Sequence, residues 1–243
     1  MNNLRLFWHI TLIAHVSSFS LFAFAEPIFF ETYYPPNASG PFPAVIALHS
    51  SGGYPSVKGK VGQFVSAGYA VYTPDFFKRH RITTATRFDT WGTYRIDIEN
   101  ELNEVVNVMK KDPKIDSKNI FAVGYSNGGY WAAYLAANGL VNAGVAHYGV
   151  WSFPNNKDGY PANYFSSKSH PLLALVGLND QTQKTKFVLP QVEKAKKLSS
   201  EVVLHTYDAT HGWDCIACYS EYVRNEEVVA DALKRTLDFF YIH

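Results

Sequence analysis

From residue 27 onward, short apolar runs alternate with amphipathic stretches. The apolar runs are PIFFETYYP, PAVIALHS, YAVYTPD, NIFAVGYS, AGVAHYGV, PLLALVGL and EVVLHTYD. Several are almost continuously apolar, as strands are when both faces of their sheet are covered. Between them, helix-like segments run 58–67, 94–111, 128–137, 184–198 and 221–240. In the second of these Ile96, Ile98, Leu102, Val105, Val106 and Met109 recur at helical spacing, and Pro113 lies just beyond the end. Strand alternating with helix predicts one α/β domain: a mostly parallel central sheet with helices on both faces. In such a sheet, functional groups collect in the loops that follow the carboxyl ends of strands.

Residues 1–25 break the alternation. A single charge, Arg5, precedes a mostly apolar stretch, and Ala23-Phe24-Ala25 puts small residues where a signal peptidase cuts. His9, His15 and three serines make the stretch a poor permanent span. The expectation is a cleaved signal peptide at 1–25 and a domain at 26–243. The product would be exported, periplasmic or secreted, with no stable membrane insertion.

Composition narrows the partners. The chain is 47% apolar and 18% charged, enough for one well-buried core. Without Arg5, basic and acidic residues balance at 21 each, so no charge excess draws nucleic acid or an anionic surface.

The candidate chemistry centres on Gly124-Tyr125-Ser126-Asn127-Gly128, between a strand-like and a helix-like run. This is the G-x-S-x-G pattern of a nucleophile elbow, whose serine adopts a strained backbone that glycines on either side permit. A serine hydroxyl needs a base, and in this architecture the chain order is serine, acid, histidine. Asp180 follows PLLALVGL and His211 follows EVVLHTYD, each just past a strand. Asp208 precedes His211 too closely to lie across from it. His147 and His205 fall inside strands and read as packed residues, and His49 reads as structural. For the oxyanion, one donor is the amide of Asn127, and the other comes from the loop His49-Ser50-Ser51-Gly52-Gly53. Ser51 is the favoured donor, with Ser50 next.

Cys215 and Cys218 are the only cysteines. A small disulfide is the leading reading in an oxidising compartment. Free thiols, a redox pair, and a zinc site with His211 that lacks a fourth ligand stay open.

Taken together, HSSGG, GYSNGGY, GLND and DATHGW, with the C-terminal ALKRTLDFF, resemble the dienelactone hydrolase family of the α/β-hydrolase superfamily. The resemblance covers essentially all of the chain after the leader. It implies the α/β-hydrolase fold and a small hydrolase of esters or lactones that uses neither a metal nor an organic cofactor. Two motifs depart from the family pattern. Ser126 stands where a cysteine nucleophile is usual, and HSSGG lacks the family's glutamate. The expected activity is therefore that of a serine esterase on small soluble esters or lactones.

The interval 151–170 is too short for a large lid. Tyr125, Tyr54, Trp151 and Trp213 are candidates for an aromatic substrate pocket, with simple packing as the competing account. Lys78, Arg79, Arg81, Arg87 and Arg95 offer partners for a substrate carboxylate, or form a solvated loop. Rival functions are a peptidase or amidase with the same triad, a catalytically silent hydrolase fold used for binding, and a thiol redox protein.

Overall fold

The computed structural model describes residues 27–36, 38–154, 157–216, 218 and 220–243. The expected leader lies outside them. Seven strands form one sheet: β1 (Phe30–Tyr33), β2 (Phe42–Leu48), β3 (Ala70–Pro74), β4 (Ile115–Tyr125), β5 (Ala143–His147), β6 (Leu172–Gly177) and β7 (Val202–Tyr207). Their order is β1-β3-β2-β4-β5-β6-β7, with β1 antiparallel to β3 and every other pair parallel. This is the mostly parallel α/β-hydrolase sheet that the alternation predicts.

Both faces are covered, and the pleat decides which residue goes where. In β2, Ala44, Ile46 and Leu48 enter one core layer while Val45 and Ala47 enter the other. The first layer holds α4 (Arg95–Lys111), α5 (Asn127–Ala137) and α6 (Thr185–Leu198). The second holds α1 (Pro55–Lys58), α2 (Val61–Ser66) and α7 (Glu226–Ile242). Every residue of α5 is buried, which places that helix in the middle of the molecule. A last short helix, α3 (Phe76–Arg79), follows β3.

Two helices differ from expectation. The stretch 58–67 divides into α1 and α2 around Gly59-Lys60, and Lys60 turns inward to an ion pair with Asp214 at 2.5 Å. The last helix starts at Glu226 rather than Glu221, because Asn225 Oδ1 caps it by accepting from the Val228 amide at 3.2 Å. Between β5 and β6 the described residues form only two short 3-10 turns, Lys157–Gly159 and Pro161–Tyr164, and no large lid. Among the described residues, no helix is long and apolar enough to cross a membrane.

Candidate active site

Ser126 stands between β4 and α5 with φ 52° and ψ −108°. That conformation is sterically unfavourable for any residue with a Cβ. It persists because the surroundings leave no alternative. A Cβ on Gly124 would sit 1.9 Å from the Gly128 carbonyl oxygen, and one on Gly128 would sit 2.1 Å from that of Leu48. A Cβ on Gly129 would lie 2.6 Å from the Gly149 Cα. The three glycines thus let β4, α5, the end of β2 and the turn after β5 meet at one point. Hydrogen bonds finish the clamp: the Ser126 amide donates to the His147 carbonyl at 3.0 Å, and the Val150 amide donates back to the Ser126 carbonyl at 3.1 Å.

His211 and Asp180 reach the serine from the ends of β7 and β6. His211 Nε2 lies 2.8 Å from Ser126 Oγ, and Nδ1 lies 2.6 Å from Asp180 Oδ2. The other carboxylate oxygen, Oδ1, accepts the amides of Thr182 at 2.8 Å and Gln183 at 2.7 Å. A carboxylate filled on that side keeps its remaining oxygen for the imidazole Nδ1–H, which leaves Nε2 as an acceptor facing the hydroxyl. Asp180 and His211 are 3% and 2% exposed, whereas Ser126 keeps 9%. Ser126 is thus the least enclosed of the three. Asp208 is exposed and accepts instead from Asn179 Nδ2 at 2.5 Å.

Gly177 makes this meeting possible, since a Cβ there would be 2.5 Å from the Ala209 carbonyl oxygen. Tyr148 and Tyr222 flank the imidazole, with ring centroids at 5.0 and 5.1 Å.

The two backbone amides expected to face an oxyanion belong to the start of α5 and the loop after β2. The amide of Asn127, first in α5, has no acceptor within the helix and lies at its positive end. The Asn127 side chain is buried and donates to Thr90 Oγ1 at 3.3 Å. In the loop after β2, the Ser50 amide is already committed to Ser56 Oγ at 3.0 Å. Among the described residues the Ser51 amide has no such partner, while its carbonyl accepts from Thr84 Oγ1 at 3.1 Å. Buried His49 steers this loop. Its Nδ1–H donates to the Ser50 carbonyl at 2.8 Å, and burial pushes its pKa down to about 4. The ring is therefore neutral at pH 7, and its 3.7 Å approach to Asp75 is not an ion pair.

The aromatic candidates need correction. Tyr125, Trp151 and Trp213 are 2%, 1% and 0% exposed, packed within the core layers rather than turned toward a substrate. For Tyr125 the cause is the pleat: the residue before Ser126 faces the layer of α2 and α7. Tyr54 does line an open cavity of about 350 Å³ behind the glycine loop. The basic segment is largely committed elsewhere. Arg79 approaches Glu104 at 3.8 Å, Arg95 pairs with Glu99 at 2.7 Å, and Arg87 Nη1 donates to the Thr84 carbonyl at 2.7 Å. Lys78 Nζ lies 4.2 Å over the ring of Phe29. Cys215 and Cys218 are joined in a disulfide.

The sequence profile of the Dienelactone hydrolase family matches residues 30–243. The chain belongs to that family. No curated protein matches it. Among solved structures, a Klebsiella pneumoniae protein described as a dienelactone hydrolase aligns at TM-score 0.67 and 18% identity, covering 89% of this chain and 93% of its own. A dienelactone hydrolase-like promiscuous phosphotriesterase from metagenomic libraries aligns at TM-score 0.67 and 16% identity, over 88% and 92% of the two chains. A Thermogutta terrifontis esterase, solved with propionate bound, aligns at TM-score 0.62 and 16% identity, over 87% and 88%. At these identities the likeness is one of fold. In this dienelactone hydrolase family member the elbow residue is serine, and the loop after β2 carries no glutamate.

Proposed function

We propose that the protein is a serine hydrolase of small soluble carboxylic esters or lactones, working through an acyl-enzyme. The observation that carries this reading is the buried line Asp180–His211–Ser126, with contacts of 2.6 and 2.8 Å, ending on a strained serine. His211 Nε2 takes the Ser126 proton as Oγ attacks the ester carbonyl. Asp180 orients the imidazole and stabilises the imidazolium that forms. The amides of Asn127 and Ser51 receive the negative oxygen of the tetrahedral intermediate. The imidazolium then protonates the leaving alcohol, and water, activated by the same base, releases the acid and restores Ser126. The absence of a large lid among the described residues, and a Ser126 that keeps only 9% of its surface exposed, suit small substrates. The leader motif at 1–25, and a disulfide, support the further proposal that the enzyme is exported.

Hydrolysis of p-nitrophenyl acetate and butyrate by residues 26–243, beside Ser126→Ala, tests the reading. The expected result is turnover in the parent and a drop of about a millionfold in kcat in the variant. Turnover that survives Ser126→Ala sinks it. A folded parent that neither turns over esters nor takes a fluorophosphonate label at Ser126 is a binding protein instead.

A further inference from the structure

Beneath the triad, on the α2 and α7 side of the sheet, lies a polar assembly that the mechanism does not use. Lys60, at the junction of α1 and α2, places Nζ 2.5 Å from Asp214 Oδ2 and 4.7 Å from the centroid of the Tyr125 ring. Asp214 Oδ1 accepts from the Tyr148 hydroxyl at 2.5 Å. The Asp214 side chain is 10% exposed and that of Lys60 19%, so this is a mostly desolvated pair. Such a pair is held by geometry rather than by net Coulomb gain.

Tyr148 ties this assembly to His211 directly, and its backbone neighbourhood to the strand before Asp180 and to the turn that holds Ser126. Its ring stands edge-on to His211 at 5.0 Å and 65°. Its amide donates at 2.8 Å to the carbonyl of Leu175, in the strand that leads to Asp180. The preceding carbonyl, of His147, holds the Ser126 amide. Tyr148 itself adopts φ 38°, an unfavourable value for an aromatic residue. Ser126 and Tyr148 are thus two strained residues at one point, and strain of this kind persists only where the surroundings over-determine it.

We infer that Tyr148, locked by Asp214 and Lys60, is a positioning residue that holds the His211 imidazole in line with Ser126 Oγ. The inference rests on the serine-hydrolase reading. Burial, and then the Asp214 charge, raise the Tyr148 pKa well above its ordinary value, so its hydroxyl stays a donor across the working range. Burial raises the Asp214 pKa, but the Lys60 charge and the hydrogen bonds outweigh it and leave the carboxyl below its usual range. The lock is therefore in place wherever the triad operates.

Tyr148→Phe removes only the hydroxyl and keeps the ring edge. The expected result with p-nitrophenyl butyrate is a fall of about tenfold in kcat at unchanged KM, because misplacing a reacting group by a fraction of an ångström lowers rate without altering binding. Active-site titration should still count every molecule as competent. Lys60→Met/Asp214→Leu removes both charges and the acceptor of the Tyr148 hydroxyl together, strands neither charge, and should show the same loss. Adding Tyr148→Phe to that pair should cost nothing further, since the groups act as one unit. A kcat within twofold of the parent in both variants overturns the inference, as does a rise in KM at constant kcat. If Ser126→Ala retains turnover, the hydrolase reading falls first. If that variant is dead while Tyr148→Phe matches the parent, only the positioning role falls.

Discussion

The two halves of the candidate site are built in opposite ways. The serine elbow is backbone packed on backbone: Gly124, Gly128 and Gly129 each face a main-chain atom at a distance no Cβ tolerates. The histidine loop, residues 211–225, is tied down by side chains. Tyr148 and Lys60 grip Asp214, the Arg224 guanidinium donates to the Asp214 carbonyl, Thr210 Oγ1 accepts the Val223 amide, and a disulfide closes 215–218. Steric exclusion holds Ser126, and polar bonds to distant elements hold the loop of His211. The first kind of support fails all at once, and the second loosens by degrees.

The sharpest break is at the elbow. Gly128→Ala puts a carbon 2.1 Å from the Leu48 carbonyl oxygen and 2.8 Å from that of His49. Neither carbonyl can move without shifting β2. A clash with backbone exceeds ordinary overpacking, so the expected loss is about 4 kcal/mol or more, read as insoluble or unfolded protein by circular dichroism. A soluble Gly128→Ala variant with parental melting behaviour would show that α5 can slide, and the contrast would go.

In the histidine half, an equally severe change should leave the fold alone. Asp180→Asn keeps Oδ1 as acceptor for the amides of Thr182 and Gln183. Its amide nitrogen then faces His211 and forces Nδ1 to accept, leaving Nε2 protonated against Ser126. The expected fall in kcat is about ten-thousandfold, with the melting temperature nearly unchanged. A fall below about a hundredfold would mean that the tautomer is set elsewhere.

The same division explains what the sequence reveals. Alternating apolar runs forecast all seven strands and the layers, because burial on both faces demands them. Gly124-Tyr125-Ser126-Asn127-Gly128 exposes the elbow because local sterics write themselves into local sequence. Asp180 and His211 follow from strand order. Lys60 and Asp214 are 154 positions apart, and neither carries any local mark of its partner. The role of Gly177 was open to inference from GLND, as a close approach after a strand, yet its neighbour is the Ala209 carbonyl of another loop. Tyr125 and Trp213 stand close to Ser126 and His211 in sequence, yet both pack into the layer of α2 and α7, and Trp151 packs into the opposite layer.

A smaller perturbation probes the loop directly. Replacing both Cys215 and Cys218 by serine opens a ring of only four residues, worth about 2 kcal/mol in chain entropy. Hydrogen exchange should show faster amides in 211–225 and unchanged ones in α5. Equal acceleration in both would join the two halves into one cooperative unit.

The slightest test uses one buried histidine from each half. His49 lies under the loop after β2. His147 lies under the histidine loop, with Nε2–H given to Thr236 Oγ1 at 2.9 Å. Burial pushes each from the ordinary 6.5 down to about 4. Below pH 6.5 the unfolded imidazoles take protons that the folded ones refuse, so the unfolded state binds more protons. Stability is therefore complete above pH 6.5 and falls as pH drops toward 4, by about 1.4 kcal/mol per pH unit for each ring at most. Asn replaces the Nδ1–H donor of His49, and Gln replaces the Nε2–H donor of His147, so His49→Asn and His147→Gln each keep a hydrogen bond and remove a titration. Each should flatten the slope of urea-unfolding stability against pH by a similar amount. Should only His147→Gln flatten it, acid would enter through the side-chain-held half alone, and the backbone-packed half would be indifferent to pH because no proton reaches it before the rest has opened.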